Sequence, residues 1–444
     1  MLIDKNSYGY LLCRAFSIIS GLGLFIFSTG CSSKSAHPEK PYRAEVLYFA
    51  PASDPTTSSG EWRIGEKTLQ TLEDPNALKG IFFEILTGRT LMLDPLKRSL
   101  TSREISASTN ASPLRYSLKN NVMIARDTNS LLLLSSFYSF EQVFEKIEPA
   151  TGLQPSTFIQ LIGGRYQVLF EPTVEGQYSG LGARYSLKMN AAFNANADNF
   201  IIFRRSNLEN IPLAANLKVI SHEFGHALFK RAFFAQKAEN CASNNETEIA
   251  KNLSDKFFEG RFSIEYAISG FNEGYADFNS YVMTGSANPL EGSFTFGQLE
   301  SRSLTGEPFY FSQLSSDQPC AGRFYCIGTL FARSLYRASI KYKENSDDLM
   351  AFSRRVYAAI ESTPKFLREE PSASLLPVPN RDIASCRARN VISITYDGAI
   401  SAAFLSAFLK GLPAGDEKVE LCKYFNEFFG NDGFPKEARR VCDS

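Results

Sequence analysis

Two histidines four positions apart, with a glutamate directly after the first, are the residues of this sequence best suited to chemistry. His222, Glu223 and His226 have the pattern HExxH. In an α-helix, side chains four residues apart lie on the same face, so both imidazoles can bind one metal ion. Glu223 is offset by about 100°, which keeps its carboxylate off the metal but near a water molecule bound there. The chain has only 3 His, so two of them in this pattern argue against a chance arrangement.

A downstream pair of acidic residues offers the ligand that the two histidines lack. Glu273 and Asp277 are also four positions apart, in the segment Asn-Glu-Gly-Tyr-Ala-Asp. A carboxylate from Glu273 completes a His₂Glu ligand set and leaves the fourth position for water, as in catalytic zinc sites. Asp277 can accept a hydrogen bond from the other ring nitrogen of a zinc histidine. The alternative is an ordinary polar helix face, with Asn272 as the N-cap.

HExxH followed by NExxxD resembles the gluzincin zinc metallopeptidases, and the thermolysin-like group in particular. The resemblance covers about residues 120–410. It implies one zinc ion per chain, held by His222, His226 and Glu273, with Glu223 as the general base. It further implies an α+β, zincin-like fold, in which a small N-terminal β-containing lobe and a mainly α-helical C-terminal lobe enclose an active-site cleft.

The same resemblance assigns supporting and substrate-binding residues. In the family, the residues that correspond to Asp277 and Asn272 support the zinc ligands. The segment Asn190–Asn194 resembles an Asn-Ala-Phe segment on the family's edge strand, which pairs with the substrate backbone. Asn190 and Ala191 are therefore expected to bind an extended peptide by strand addition, and the partner is a protein or peptide substrate.

The chain departs from the family pattern in two places. His226 and Glu273 are 47 positions apart, which is longer than is usual in the thermolysin-like group. The family also uses a late histidine to stabilise the oxyanion, and no histidine follows His226. Tyr325 lies close to the expected place and Tyr266 is another candidate, because oxyanion donors must converge on the developing charge. Either phenol could instead line the core.

The elements that must position these residues follow an α+β order, with strands first and helices after. Apolar spacing predicts a helix over 128–148 and strands over 166–170 and 200–203. Within HExxH, Phe224 is expected to pack in the core and Gly225 to allow a neighbouring helix to approach. Further helices are expected at about 215–235, 246–258, 270–283, 325–343, 347–362 and 399–410.

The N-terminus has the features of an export signal. Lys5 and Arg14 precede an apolar run over 15–27, which is typical of a signal peptide over residues 1–30. The segment Ser28-Thr29-Gly30-Cys31 resembles a bacterial lipobox, which implies a lipid on Cys31 that attaches the chain to a bilayer. The expected location is the outer membrane, on its periplasmic or surface face. The alternative is a secreted protein in which Cys31 is an ordinary thiol.

Composition divides the remaining chain into four expected regions. They are a lipid-anchored flexible linker (31–60), a small accessory region (61–117), the zinc metallopeptidase domain (118–415) and a C-terminal tail clipped by a disulfide (416–444). Six cysteines follow Cys31, an even number that allows up to three disulfides in an oxidising compartment. Cys320 with Cys326, and Cys422 with Cys442, are candidate pairs.

Charge argues against one class of partner. The formal net charge of the chain is +0, and no basic cluster predicts nucleic-acid binding.

Two functional alternatives to a peptidase stay open at this stage. The first is a non-catalytic zincin-fold lipoprotein that serves as a binding or structural module, which the missing late histidine favours and the intact Glu223 disfavours. The second is a zinc enzyme that acts on a non-peptide bond.

Overall fold

The computed structural model describes most of the chain from residue 41 onward. Pro41–Ser444 forms one compact unit. None of the described helices is both long and apolar enough to cross a membrane. The signal peptide and Cys31 lie outside the described residues. The described ranges are 41–50, 61–94, 99–100, 106–107, 114–160, 164–175, 191–194, 199–202, 211–234, 264–293, 302–306, 308–315, 323–369 and 394–443.

The described strands are short and most of them precede the main helices. They are β1 (Tyr42–Ala50), β2 (Glu61–Leu69), β3 (Leu72–Asp74), β4 (Lys79–Gly80), β5 (Phe83–Leu86), β6 (Arg89–Asp94), β7 (Ser99–Leu100), β8 (Ser106–Ala107), β9 (Tyr116–Lys119), β10 (Val122–Ala125), β11 (Tyr166–Phe170), β12 (Thr173–Glu175), β13 (Ala191–Asn194) and β14 (Asn199–Ile202).

Helices dominate the C-terminal half of the described chain. They are α1 (Thr128–Glu145), α2 (Ile147–Thr151), α3 (Pro155–Gln160), α4 (Leu217–Phe234), α5 (Ile264–Thr284), α6 (Arg323–Ser339), α7 (Ser346–Glu369), α8 (Ile394–Lys410) and α9 (Asp416–Gly433). The mixed α+β class predicted from the sequence is confirmed, and so are the strand at 166–170 and the helix that begins near 128.

The sheet next to the HExxH helix, α4, has six strands in the order β13-β14-β11-β5-β4-β3. β14, β11 and β5 run parallel to one another, whereas β13 pairs antiparallel with β14. Two further sheets have the orders β2-β1-β10-β9 and β12-β6-β7, with β8 also paired to β6. Within the described residues, β13 therefore lies at the edge of the six-stranded sheet.

Three of the expected regions contain strands or helices of the described fold. In the small accessory region expected over 61–117, β5 pairs with β11 along Phe83–Leu86, so this region contributes strands to the same sheet as β11, β13 and β14. Part of the expected flexible linker is the strand β1, where Ala44 and Val46 are fully buried. The expected C-terminal tail is largely the helix α9. In each case, apolar residues that look unremarkable in the sequence are buried by distant partners.

An aromatic cluster anchors the HExxH helix to the sheet. Phe224 contacts four rings of this cluster, and its ring centroid lies 5.1 Å from that of Phe144 and 5.6 Å from that of Phe200. Phe224 is fully buried, as predicted. Its ring packs against the sheet, in this aromatic cluster. This sheet cluster consists of Phe83, Phe137, Phe140, Phe144, Phe158, Tyr166, Phe200 and Phe224.

A second aromatic cluster anchors the helix of the acidic motif. Phe271, two residues before Glu273, stacks on Phe404 with a centroid distance of 3.8 Å and meets Phe331 edge to face. This helix cluster joins α5, α6, α8 and α9 and consists of Phe271, Phe331, Phe404, Phe408, Phe425 and Phe429. Each motif helix is thus fixed by an aromatic side chain next to its functional residues.

Two glycines let the helices of the site approach closely. A Cβ atom at Gly225 of α4 would lie 2.6 Å from the Cα of Ala276 of α5, a distance that real side chains do not reach. A Cβ atom at Gly274 of α5 would collide with the backbone carbonyl of Gly328 of α6. The close approach predicted for Gly225 is therefore confirmed, and it brings α4 against the acidic motif.

One predicted disulfide is present in the described part of the chain. Cys422 and Cys442 are bonded, which ties the end of the chain back to α9. Cys326 is also disulfide-bonded. Cys241, Cys320 and Cys386 lie outside the described residues.

A buried carboxylate joins α1 to the strands in front of it. Glu141 is fully buried and accepts a hydrogen bond from the backbone N–H of Thr71 at 2.5 Å. Burial raises the pKa of Glu141 to about 7, because the Thr71 N–H offsets only part of the lost hydration and the nearby Glu145 adds repulsion.

Glu141→Gln is expected to change the pH dependence of stability. Folded protein retains the Glu141 proton up to about pH 7, whereas the unfolded chain loses it near 4.5, so the free energy of unfolding falls as pH rises through this window. Glutamine keeps an acceptor and cannot ionise. The variant should therefore gain about 2 kcal/mol relative to wild type between about pH 5 and about pH 8.5. Urea unfolding at both pH values measures this difference.

Glu148→Gln is the matched control. Glu148 is an exposed carboxylate on α2, so the control should change stability by less than about 0.5 kcal/mol at either pH. An equal pH response in the two variants would refute the assignment to Glu141.

Candidate metal centre

Three side chains from two helices present their donor atoms to a common point. Nε2 of His222 lies 3.1 Å from Nε2 of His226, and Glu273 places Oε2 3.5 Å from the first nitrogen and Oε1 3.7 Å from the second. Donor atoms on a tetrahedral ion with bonds of about 2.0–2.1 Å are about 3.3 Å apart. The observed distances bracket that value, so the residues present fit a divalent cation. His222, His226 and Glu273 are a group that could hold a metal ion.

The second ring nitrogen of each histidine has a partner that directs the first toward the centre. Nδ1 of His222 lies 2.9 Å from Oδ1 of Asp277, and Nδ1 of His226 lies 3.0 Å from Oδ1 of Asn272. An acceptor at Nδ1 favours the tautomer whose Nε2 lone pair is available for a metal. Asn272 lies inside α5, which begins at Ile264. It is therefore not a helix N-cap, as it would be if this segment were an ordinary polar helix face.

The local field favours positive charge between the rings. Burial by itself would lower the pKa of His222, but the hydrogen-bonding carboxylates of Asp277 and Glu273 outweigh it and raise the pKa to about 9. When both histidines are neutral and protonated at Nδ1, the lone pairs of their Nε2 atoms, 3.1 Å apart, repel each other. A cation between them relieves this repulsion, and a divalent ion does so for all three ligands at once.

Arg302 is the residue of this centre that the sequence did not reveal. It is 3% exposed, and its Nε and Nη2 donate to the two carboxylate oxygens of Asp277 at 3.0 and 2.7 Å. Nη2 also donates to Oε2 of Glu273 at 2.9 Å. Burial would raise the pKa of Glu273, but His226 and Arg302 hold it well below its usual range. Arg302 thus fixes Glu273 and Asp277, the partner of His222, together.

Glu223 lies beside the three donors without joining them. Its side chain is buried, and Oε2 accepts a hydrogen bond from the backbone N–H of Phe193 at 2.8 Å. Burial raises the pKa of Glu223, and the two histidines offset part of that rise. A buried carboxylate with an increased proton affinity is suited to general-base catalysis.

The side chains of the centre differ in their access to solvent. His222 is 4% exposed, whereas His226 and Glu273 are 14% and 13% exposed. The cluster is therefore most accessible to solvent on the side of His226 and Glu273. A water molecule or a ligand can reach the remaining coordination position from there.

The other predicted residues fall into two groups. Tyr325, in the first turn of α6, lies near the centre, because the guanidinium carbon of Arg302 is 4.8 Å from its ring centroid. Burial and the charge of Glu273 raise the pKa of Tyr325 well above its usual range, so the phenol keeps its proton. Ala191 is buried on β13, in the edge strand that also carries Phe193. Asn190 and the side chain of Tyr266 lie outside the described residues.

Comparisons with known proteins add one structural similarity. No protein-family model matches the sequence, and no curated protein matches it. Among solved structures, the chain is similar to the precursor of protealysin, a metalloproteinase from Serratia proteamaculans, with a TM-score of 0.28 and 9% identity. The match covers 81% of this chain and 87% of that chain.

Arg302→Lys is expected to destabilise the metal-free protein. Lysine supplies one point charge in place of a planar fork, so it cannot hold Asp277 and Glu273 at the same time. Because the group is buried, the apparent free energy of unfolding should fall by about 2–4 kcal/mol. Thermal or urea unfolding in the presence of a chelator measures this change.

Arg355→Lys is the matched control. Arg355 also donates two hydrogen bonds to one carboxylate, that of Glu417, but its side chain is 36% exposed. Because this pair stays partly in contact with solvent, which screens its charges, we expect it to contribute only about 1 kcal/mol. If both variants lost the same stability, Arg302 would have no special function at the centre.

Proposed function

We propose that this protein is a zinc-dependent endopeptidase that hydrolyses peptide bonds with an activated water molecule and Glu223 as the general base. One observation supports it above all others. Three donor atoms, at distances suited to one tetrahedral ion, lie beside a buried carboxylate that is not needed as a ligand. A structural zinc site is closed by four protein ligands, whereas a catalytic site keeps one position open.

The chemistry then divides between the ion and the protein. A zinc ion held by His222, His226 and Glu273 would supply Lewis acidity and an acidified water. Glu223 accepts the proton of the attacking water and later delivers it to the leaving amine. Asp277 and Asn272 keep both histidines in the ligating tautomer.

Tyr325 is proposed as the donor that stabilises the oxyanion, in place of the late histidine that the chain lacks. Its placement beside Arg302, which donates to the ligand Glu273, supports this role. A phenol that keeps its proton can donate a hydrogen bond to a developing negative charge.

The proposed substrate is an extended segment of a protein or peptide. Edge strands can pair with an added strand, and β13 is the edge strand whose backbone contacts Glu223. We place substrate binding at Asn190 and Ala191, in a cleft between a β-containing lobe and a helical lobe. We further propose an exported outer-membrane lipoprotein attached through Cys31, and no nucleic-acid partner.

Glu223→Gln is expected to abolish turnover without loss of zinc. Glutamine keeps the shape of the side chain and its hydrogen-bond acceptor but cannot take a proton, so kcat should fall by at least about 10²–10⁴-fold. Zinc content by elemental analysis should stay at one ion per chain. The assay is the cleavage of an unfolded protein, with chelation and zinc readdition as the activity control.

Glu273→Ala tests the role of Glu273 as the third ligand, as distinct from the role of Glu223 as the base. This variant should lose zinc affinity as well as activity, because two histidines alone leave the ligand set incomplete. A wild-type protein that binds zinc tightly but cleaves no peptide would favour the non-catalytic binding module. Wild-type turnover in Glu223→Gln would show that another group is the base.

A further inference from the structure

The general base is tied to the edge strand through the main chain. Oε2 of Glu223 accepts a hydrogen bond from the backbone N–H of Phe193 at 2.8 Å. Among the described residues, no group donates to its other oxygen, Oε1. The carboxylate is thus held through Oε2 by a backbone group, while Oε1 has no donor among the described residues.

Strand register explains why this N–H is available to Glu223. Phe193 pairs with Phe200 and Ala192 with Ile201 in the antiparallel pair β13–β14. In such a pair, successive residues alternate between pointing their N–H and C=O toward the partner strand and pointing them away. Since the Phe193 N–H donates to Glu223, it faces away from β14, and the Ala192 N–H faces toward it. The bond to Glu223 therefore does not compete with the sheet.

We infer that the backbone N–H of Phe193 is the positioning group of the general base, an inference that rests on the proposed function. A glutamate on a helix has several rotatable bonds, and burial alone does not orient its carboxylate. The bond from Phe193 fixes Oε2, which leaves Oε1 as the oxygen that accepts the proton of the attacking water. Since a backbone amide supplies the contact, the identity of side chain 193 does not determine it.

The contact also links the base to the strand that is proposed to bind substrate. β13 carries Phe193 and Ala191, and it is joined to the sheet through β14. The aromatic ring of Phe193 packs on Phe200 at a centroid distance of 5.2 Å. The sheet cluster therefore supports the N–H donor from one side and, through Phe224, the helix of Glu223 from the other.

Amide hydrogen exchange in the zinc-free protein tests the contact without any assay of activity. Glu223→Ala removes the acceptor, so exchange of the Phe193 N–H should become at least about ten-fold faster, whereas Glu223→Gln keeps an acceptor and should stay within about two-fold of wild type. The Ala192 N–H, which faces β14, is the internal reference. Equal exchange of the Phe193 N–H in all three proteins would overturn the contact.

Replacement of single backbone amides by esters tests the consequence for catalysis. Phenyllactate at position 193 removes the N–H and keeps the side chain, and it should lower kcat by about 10–100-fold while KM and zinc affinity stay within about two-fold. Lactate at position 192 removes an N–H that faces β14, and should lower thermal stability with little change in kcat. Equal effects on kcat, or a parallel loss of zinc affinity at position 193, would overturn the positioning role.

The two experiments also distinguish this inference from the proposed function. If the wild-type protein hydrolyses no peptide, the proposed function fails, and the catalytic role of Phe193 fails with it. The exchange measurement would still decide whether the Phe193 N–H holds Glu223. If wild type is active and both esters behave alike, only the positioning role is refuted.

Discussion

The metal centre depends on how closely two helices approach. His222 and His226 lie on α4 and Glu273 lies on α5, so their donor atoms can meet only if the two backbones nearly touch. The contact of Gly225 with Ala276 permits this, because any side chain at 225 would stand 2.6 Å from the Cα of Ala276. The separations of 3.1–3.7 Å between ligand atoms follow from that approach.

Close approach of acidic groups requires compensation, because the carboxylates of Glu223, Glu273 and Asp277 lie close together and largely out of solvent. Arg302 donates to both Asp277 and Glu273 and supplies a permanent positive charge beside them. The two histidines beside these carboxylates add to this compensation, since the group could also hold a metal ion. Buried charges are tolerated when they are paired and hydrogen-bonded. The same network that neutralises the centre therefore also orients its ligands.

Packing on both sides keeps this arrangement rigid. Phe224 anchors the histidine helix in the sheet cluster, and Phe271 anchors the acidic helix in the helix cluster. Both aromatics are neighbours of the motif residues in the sequence, yet they pack in different aromatic clusters. Since the N–H of Phe193 on β13 also contacts Glu223, sheet and helices converge on this carboxylate.

Local spacing in the sequence determined much of what this protein can do. HExxH and the Glu273–Asp277 pair each lie within a single helix, where periodicity alone places side chains on one face. The same logic predicted α1 and β11 and the burial of Phe224. Arg302 could not be predicted, because nothing near it in the sequence marks its contact with residues on another helix. The sequence also offered no basis for predicting that β5 pairs with β11 or that the Phe193 N–H donates to Glu223. Such contacts join residues far apart in the chain, and only the packing of the folded structure decides them.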